Sequence, residues 1–307
     1  MGRARFWRND TPREWYEFEV KLIPTVALFA LLVLSVLVGY HIDTPVQAEP
    51  KTAAKASQTV SEPVASPEKY PTLVTDMNAA LATVPGLSAS ATLIDLDTSK
   101  QYDAGNYTQF YEAASTSKLV GVFDYLHQVE VGKTTLTRTI QGQSAQDIIM
   151  RMIIYSDNDA WDKLNGYLKF KPQQAYLDGI GVGGKMVPNN IQFTTPAMAR
   201  MLQLFYQGDL MNDEHRAMVL DYMGRTTMNK LIPPAVPADA KVYHKYGQIE
   251  GVLHDAAIIE WQGRAFVLVV YTDNEGKSGQ YAKQVGAIQA VTRAVFASIA
   301  QPTVPSL

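Results

Sequence analysis

The hydrophobic positions between residues 71 and 300 follow two periods, a strand-like alternation at both ends and a helical spacing in between. Strands are predicted at 88–96, 101–105, 241–248, 253–261 and 264–272. Helices are predicted at 115–126, 144–154, 157–168, 173–178, 195–207 and 213–224, and in a last segment that carries Val285, Ile288, Val291 and Val295. This order is typical of an α+β fold, in which one antiparallel sheet, built from both chain ends, packs against a helical lobe. A cleft between sheet and lobe is then the natural functional site.

The beginning of the chain has a different pattern. Residues 22–40 form a run of 19 residues without a charge, close to the ~20 that span a bilayer as a helix. Basic residues precede it within 1–21, and the positive-inside rule places the N-terminus in the cytoplasm and the remainder outside. Val46-Gln47-Ala48 resembles a signal-peptidase site. Because the apolar run is longer than a signal-peptide core, we favour an uncleaved single-pass anchor in the cell membrane over a cleaved leader.

Residues 41–70 hold four prolines among small and polar residues. Such a stretch buries too little apolar surface to order itself, so we predict a disordered extracytoplasmic linker. The predicted organisation is a cytoplasmic segment (1–21), a transmembrane helix (22–40), the linker (41–70), a globular domain (71–300) and a tail (301–307).

Composition narrows the chemistry. The chain has no cysteine, which excludes disulfides, thiol catalysis and thiolate metal sites. Its five histidines include no H-x-x-x-H pair, so a zinc-protease site is not expected. The net charge of −3 and a pI near 6.0 give no basic field for nucleic acid.

Ser115 and Lys118 form an S-x-x-K motif at the start of a predicted helix. Residues three apart share a helix face, so the Lys118 amine can reach the Ser115 hydroxyl. A serine hydroxyl needs a base to become a nucleophile, and a lysine serves as that base when its pKa is lowered. About one such motif is expected by chance in a chain of this length, and another, Ser66–Lys69, lies in the linker. On this motif alone, a helix N-cap is the simpler interpretation of Ser115.

Two further elements strengthen the hypothesis. Ser156-Asp157-Asn158 occurs once, although it too fits a helix N-cap. The other element is a lysine followed two residues later by glycine. The sequence offers two candidates for it, Lys245-Tyr246-Gly247 and Lys277-Ser278-Gly279. Lys277 lies in a loop that leads into the last helix, whereas Lys245 lies in a predicted strand. Only the strand residue can line a cleft along a sheet edge, so we select Lys245.

In this order the three elements resemble the motifs of the serine β-lactamase and penicillin-binding protein superfamily, and they are most similar to those of class A β-lactamase-like proteins. The likeness covers about residues 71–300 and extends to the sequence around each motif, in segments 111–120, 153–164, 193–205 and 244–259. It implies a β-lactamase-like fold and a serine hydrolase that acts on amide bonds without a metal or organic cofactor.

The resemblance also implies a role for each matching residue. Ser115 would attack an amide carbonyl and form an acyl-enzyme, with Lys118 as the base. Ser156, helped by Lys245, would pass a proton to the leaving nitrogen, and Lys245 would also attract the substrate carboxylate. Substrate contacts are expected from Asn158, Tyr246, Gly247 and Gln248, with the N–H groups of Ser115 and Gln248 forming the oxyanion hole. Asp157 is expected to be structural.

His254-Asp255 suggests a Ser-His-Asp triad at first sight. Adjacent residues on a strand point to opposite faces, so these two cannot act together as base and orienting group. We therefore interpret both as structural.

The sequence departs from the class A pattern in three places. Those enzymes carry a glutamate in the omega loop that activates the deacylating water, but residues 179–208 contain no Asp or Glu. Without that base, hydrolysis of the acyl-enzyme should slow by an expected ~10²–10⁴-fold. Tyr246 replaces a Thr or Ser that would bind the substrate carboxylate, although a phenol can still donate a hydrogen bond. The stretch from Lys118 to Ser156 is also shorter, which predicts an open cleft wall.

These features leave three functional hypotheses. The first is a class A β-lactamase-like hydrolase, acylated by β-lactams or peptidoglycan-type D-alanyl peptides. The second is a membrane-anchored D,D-peptidase of the penicillin-binding type with slow deacylation, which the absence of Asp and Glu from residues 179–208 favours. The third is a non-catalytic envelope-binding module on the same fold, which Tyr246 keeps open. In each case we expect a monomer.

Overall fold

The computed structural model describes residues 69–275, 277 and 279–300. The predicted cytoplasmic segment, transmembrane helix and tail lie outside the described residues, as does the linker up to residue 68. Within the described part of the chain, no helix has the length and apolar character needed to cross a membrane.

The described domain alternates short strands and helices around one large sheet. In chain order its elements are α1 (Leu73–Ala82), β1 (Ser88–Asp95), β2 (Lys100–Gly105), β3 (Tyr111–Glu112), a 3₁₀ turn (Ala114–Ser117), α2 (Lys118–Glu130), β4 (Thr139–Ile140), β5 (Gln143–Ser144), α3 (Ala145–Ile154), α4 (Asn158–Leu168), α5 (Phe170–Gly179), β6 (Gly184–Lys185), β7 (Gln192–Phe193), α6 (Thr195–Gln207), α7 (Asp213–Gly224), a second 3₁₀ turn (Pro233–Ala235), β8 (Lys241–Ile249), β9 (Val252–Trp261), β10 (Arg264–Asp273) and α8 (Tyr281–Ile299).

Five strands form an antiparallel sheet in the order β2-β1-β10-β9-β8, so strands from the two chain ends meet at the β1–β10 pair. Alternation along β10 sends Val267, Val269 and Tyr271 into the apolar cluster beneath the helical lobe. The intervening Phe266 and Val270 enter a second cluster that α8 covers. Because both faces of the sheet are buried, its register is strongly fixed.

The α+β architecture predicted from the sequence is confirmed, and the five predicted strands begin and end within one residue of the observed ones. A two-residue hairpin turn joins β9 and β10. Gln262 and Gly263 have φ values of +51° and +72°, the left-handed conformation that a tight turn between twisted strands requires.

Local capping signals explain the helix boundaries. The Ser144 hydroxyl accepts a hydrogen bond from the Asp147 N–H at 3.1 Å, which starts α3 as predicted. The observed helix α5 spans Phe170–Gly179 and is longer than the helix predicted at 173–178. The prediction missed α1, which buries only Leu73 and Met77 and therefore has little hydrophobic periodicity.

Strand β8 is an edge strand of the large sheet. Among the described strands it pairs with β9 alone, and the 3₁₀ turn that contains Ser115 lies against it. The sheet edge and the start of the helical lobe therefore meet at this point.

Candidate active site

The turn that carries Ser115 is held in place by hydrogen bonds of its neighbours. The Thr116 hydroxyl is 2.6 Å from the Ala113 carbonyl oxygen and 2.7 Å from the Tyr271 hydroxyl. The Ser117 hydroxyl donates to the Ala114 carbonyl oxygen at 2.7 Å. Ala114 has a φ of +46°, a left-handed conformation that costs free energy in a residue with a side chain and is found most often at functional sites. Ser115 follows this residue and lines the adjacent cleft.

Lys118 is the first residue of α2, and its side chain is buried. Its ammonium group donates to the Ser156 carbonyl oxygen at 2.6 Å, to the Asn158 side-chain oxygen at 2.7 Å and to the Asp157 carbonyl oxygen at 3.2 Å. Burial lowers the pKa of Lys118 to about 8, against an opposing effect of the nearby Asp157 and Asp162 carboxylates. A lysine in this environment can exchange a proton near neutral pH.

The turn at Ser156 is fixed from the side of α4. Asp157 caps α4 by accepting a hydrogen bond from the Ala160 N–H at 3.0 Å, and its other oxygen pairs with Arg151. The cap and the ion pair lower the pKa of the Asp157 carboxyl group. Ser156 itself has a φ of +55°, which turns its carbonyl oxygen towards Lys118. These contacts are those expected of a structural Asp157.

Lys245 lies on β8, and its side chain is fully buried. Its ammonium group donates to the Ser156 hydroxyl and to the Tyr246 carbonyl oxygen, both at 2.8 Å. Burial and the positive charge of Lys118 hold the pKa of Lys245 well below its usual value. The alternative, Lys277, lies outside this site, where it is exposed and pairs with Glu275 at 2.7 Å.

Gly247 lies where β8 passes close to the Ser115 turn. A Cβ atom at this position would lie 3.0 Å from the Ala113 carbonyl oxygen and 3.1 Å from both the Ala114 Cβ and the Ser115 nitrogen. The absence of a side chain therefore lets the two backbones pass closely. This approach brings the backbone of β8 beside the Ser115 N–H, an arrangement suited to an oxyanion hole formed with the N–H of Gln248.

A cleft of about 800 Å³ lies between the sheet edge and the helical lobe. Ser115, Lys118, Ser156 and Asn158 line it, as do Tyr246 and Gln248 from β8. The stretch 179–208, which has no Asp or Glu, contributes Asn189, Asn190 and Ile191 to the wall, and the Ile191 carbonyl oxygen accepts a hydrogen bond from the Ala113 N–H at 2.9 Å. That stretch therefore contacts the Ser115 turn and brings no carboxylate to the cleft.

The structure thus brings together the three sequence motifs. Among the described residues, the Ser115 hydroxyl has no hydrogen-bond partner, and the Lys118 ammonium group contacts the Ser156 turn instead. Proton transfer from Ser115 to Lys118 would require these contacts to rearrange, as catalytic hydrogen bonds often do when substrate binds.

His254 and Asp255 have separate buried partners. His254 donates from Nε2 to the Glu112 carbonyl oxygen at 2.9 Å and accepts at Nδ1 from the Thr272 N–H at 3.1 Å. Burial lowers the pKa of His254 to about 4, so this ring is neutral at physiological pH. Asp255 contacts His244 Nδ1 at 2.8 Å instead. Neither residue lines the cleft, and these contacts are those of structural groups.

Sequence reasoning missed several residues of the cleft wall. Trp161, Asp162 and Asn165 line the cleft from α4, and Glu112 and Glu250 line it as well. A sequence signal existed for two of them, because Trp161 and Asp162 follow Asn158 by three and four residues and share its helix face. Within the described part of the chain, no group of three or more His, Asp or Glu side chains is placed to hold a metal ion.

Ser115 and Lys118 line a cleft one helical turn apart, and the Ser156 hydroxyl beside them is contacted from below the surface by the buried Lys245. This arrangement defines the class of a serine hydrolase that acts on amide bonds. Residues 72–299 match the model of the β-lactamase enzyme family, and the chain belongs to that family. No curated protein matches the chain.

Solved structures share this fold at low sequence identity. The structure of PBP-A is 21% identical, with a TM-score of 0.67 over 74% of this chain and 95% of that one. A mutant of PBP-A, in an acyl-enzyme complex with penicillin-G, is 22% identical, with a TM-score of 0.68 over 74% of this chain and 96% of that one. A β-lactamase from Xanthomonas campestris pv. campestris is 21% identical, with a TM-score of 0.67 over 74% and 98% of the two chains. These likenesses concern the fold.

Proposed function

We propose that this protein is a class A β-lactamase-like hydrolase that forms an acyl-enzyme at Ser115 with β-lactams or D-alanyl peptides and releases it slowly. The observation that carries this proposal is the uncharged wall formed by Asn189, Asn190 and Ile191. This wall lies beside the Ser115 turn and holds no general base for an attacking water. PBP-A, a structural neighbour, has been captured in mutant form as an acyl-enzyme with penicillin-G.

The contacts of the site support a two-step reaction. Neutral Lys118 takes the proton of the Ser115 hydroxyl while the serine oxygen bonds to the amide carbonyl carbon, with the Ser115 and Gln248 N–H groups stabilising the oxyanion. The carbon–nitrogen bond then breaks. The Ser156 hydroxyl, oriented by Lys245 at 2.8 Å, delivers a proton to the leaving nitrogen. Water must finally attack the ester, and this is the step that lacks a base in the 179–208 wall.

Efficient β-lactam turnover is the second candidate, and Asp162 is the observation that favours it. Its carboxylate lines the cleft one helical turn beyond Asn158 and has no hydrogen-bond or ion-pair partner among the described residues. A carboxylate so placed could activate a water from the side of α4. This candidate differs from the first in the lifetime of the acyl-enzyme.

The experiment follows a fluorescent penicillin on the full-length protein in detergent over time. A label that persists in the wild-type protein and is absent from folded Ser115→Ala supports the slow acyl-enzyme. Ser66→Ala is the matched control, because Ser66 belongs to the second S-x-x-K motif, which lies in the predicted linker. Fast loss of label with product release supports the second candidate. If wild-type protein takes up no label from penicillin or from an uncharged activated ester, the proposal fails.

We also propose that residues 22–40 anchor the protein in the cell membrane with the catalytic domain outside the cytoplasm, where it acts as a monomer. The support is the uncharged run of residues 22–40 and the basic residues that precede it. β-Lactams and cell-wall peptides both lie on that side of the membrane.

A further inference from the structure

Tyr246 covers the ammonium group that the resemblance assigns to attracting a substrate carboxylate. The Lys245 ammonium lies 4.3 Å from the centre of the Tyr246 ring, within the range of a cation–π contact. Tyr246 also packs against the apolar cluster that α8 covers. The ring is partly exposed and lines the cleft, whereas the Lys245 side chain has no exposed surface.

The Lys245 ammonium group also donates hydrogen bonds to neighbouring oxygen atoms. An ammonium group has three N–H donors. Two of them donate to the Ser156 hydroxyl and the Tyr246 carbonyl oxygen, and the Tyr246 ring lies beside the same nitrogen. Because the Lys245 side chain has no exposed surface, a carboxylate could contact this ammonium only after the groups around it, which include the Tyr246 ring, have moved.

The remaining charges of the cleft also oppose an anion. Glu112, Asp162 and Glu250 line it, and Lys118 is the sole cationic side chain among the described lining residues. The Lys118 ammonium already donates to three oxygens. A negatively charged substrate group therefore meets repulsion at the cleft wall with no free cation to offset it.

We infer that Tyr246 makes this cleft select acyl donors that carry no free carboxylate beside the scissile bond. The expected substrate class is D-alanyl peptides whose neighbouring carboxyl group is amidated or already part of an amide bond. This inference rests on the proposed acylation of Ser115 and narrows its substrates.

The test compares two matched probes on the full-length protein, a fluorescent penicillin and its methyl ester. The rate constant for acylation of Ser115 is measured for each. In the wild-type protein we expect the uncharged ester to react about tenfold faster than the acid, a typical discrimination by one pocket contact. Tyr246→Thr should raise the rate of the acid by about tenfold and change that of the ester little, because the ring no longer covers Lys245.

Tyr246→Phe is the matched control, since it keeps the ring and removes only the hydroxyl. It should leave the ratio of the two rates at the wild-type value. An acid that reacts as fast as the ester in wild-type protein, or a ratio unchanged in folded Tyr246→Thr, overturns the inference while acylation of Ser115 stands. If neither probe reacts with wild-type protein, the proposed function and the inference both fail.

Discussion

Lys118 is the residue whose environment predicts a pH dependence. Burial lowers its pKa from 10.5 to about 8, and only the neutral amine can accept the Ser115 proton. The rate constant for acylation should therefore rise about tenfold per pH unit below pH 8 and level off above it. Labelling rates measured between about pH 6 and pH 10 check this expectation.

Arginine at position 118 provides the control, because a guanidinium keeps its proton throughout this pH range. Lys118→Arg should reduce acylation by about 10²-fold or more at every pH. A wild-type profile that is flat from pH 6 to pH 10 would contradict the assignment of Lys118 as the base.

The sequence could identify Ser115 and Lys118 because the S-x-x-K spacing is a local property of one helical turn. It could not show that the Tyr246 ring lies 4.3 Å from the Lys245 ammonium, since alternation along a strand says only that neighbouring side chains start on opposite faces. A long side chain at a sheet edge can fold back, and only the packing around it decides whether it does.

At the scale of elements, the positions of the proposed oxyanion donors depend on the contact between β8 and the 3₁₀ turn. Gly247→Ala would place a methyl group 3.0 Å from the Ala113 carbonyl oxygen and 3.1 Å from the Ser115 nitrogen. The strand or the turn must then shift, which moves the oxyanion donors. We expect acylation to slow by about 10²-fold, comparable to the loss of one such donor, as measured by the labelling rate.

Gly286→Ala is the matched control, because this glycine is exposed in α8 with open space around its Cα. It should leave acylation unchanged and stabilise the helix slightly, by up to about 1 kcal/mol. Thermal unfolding of both variants separates a moved active site from a loss of folding. Normal labelling by folded Gly247→Ala would count against the proposed oxyanion hole.

The elements themselves were largely predictable, because their ends depend on nearby residues. Ser144 and Asp157 start α3 and α4 through hydrogen bonds that reach only three residues ahead. The 3₁₀ turn at Ala114–Ser117 was missed, since the hydrogen bond between Thr116 and Tyr271 joins residues 155 positions apart. Such a contact leaves no periodic trace in the sequence.

At the scale of the whole molecule, the uncharged run of residues 22–40 predicts that the protein is found in the membrane fraction of the cell. The full-length chain should remain with membranes through carbonate washing and dissolve only in detergent, because about 20 apolar residues bind a bilayer strongly. Immunoblotting of the fractions measures this.

A variant lacking residues 1–68 is the control, since it keeps Tyr70, which is buried in the domain, and it should leave the membrane fraction. If the full-length protein were cleaved after Ala48, N-terminal sequencing would find a chain that begins at Glu49 and is released from the membrane. That result would replace the proposed anchor with a cleaved leader.

The α+β class, most helix and strand boundaries and the three motifs could be predicted from the sequence, because hydrophobic periodicity and capping depend on neighbours a few residues apart. Tertiary structure alone decided how those motifs meet. The contact of Lys245 with Ser156 joins residues 89 positions apart, and that of Lys118 with Asn158 joins residues 40 apart. Packing of the sheet edge against the helical lobe sets these distances, and the same packing buries both lysines, which lowers their pKa values and gives the site its chemistry.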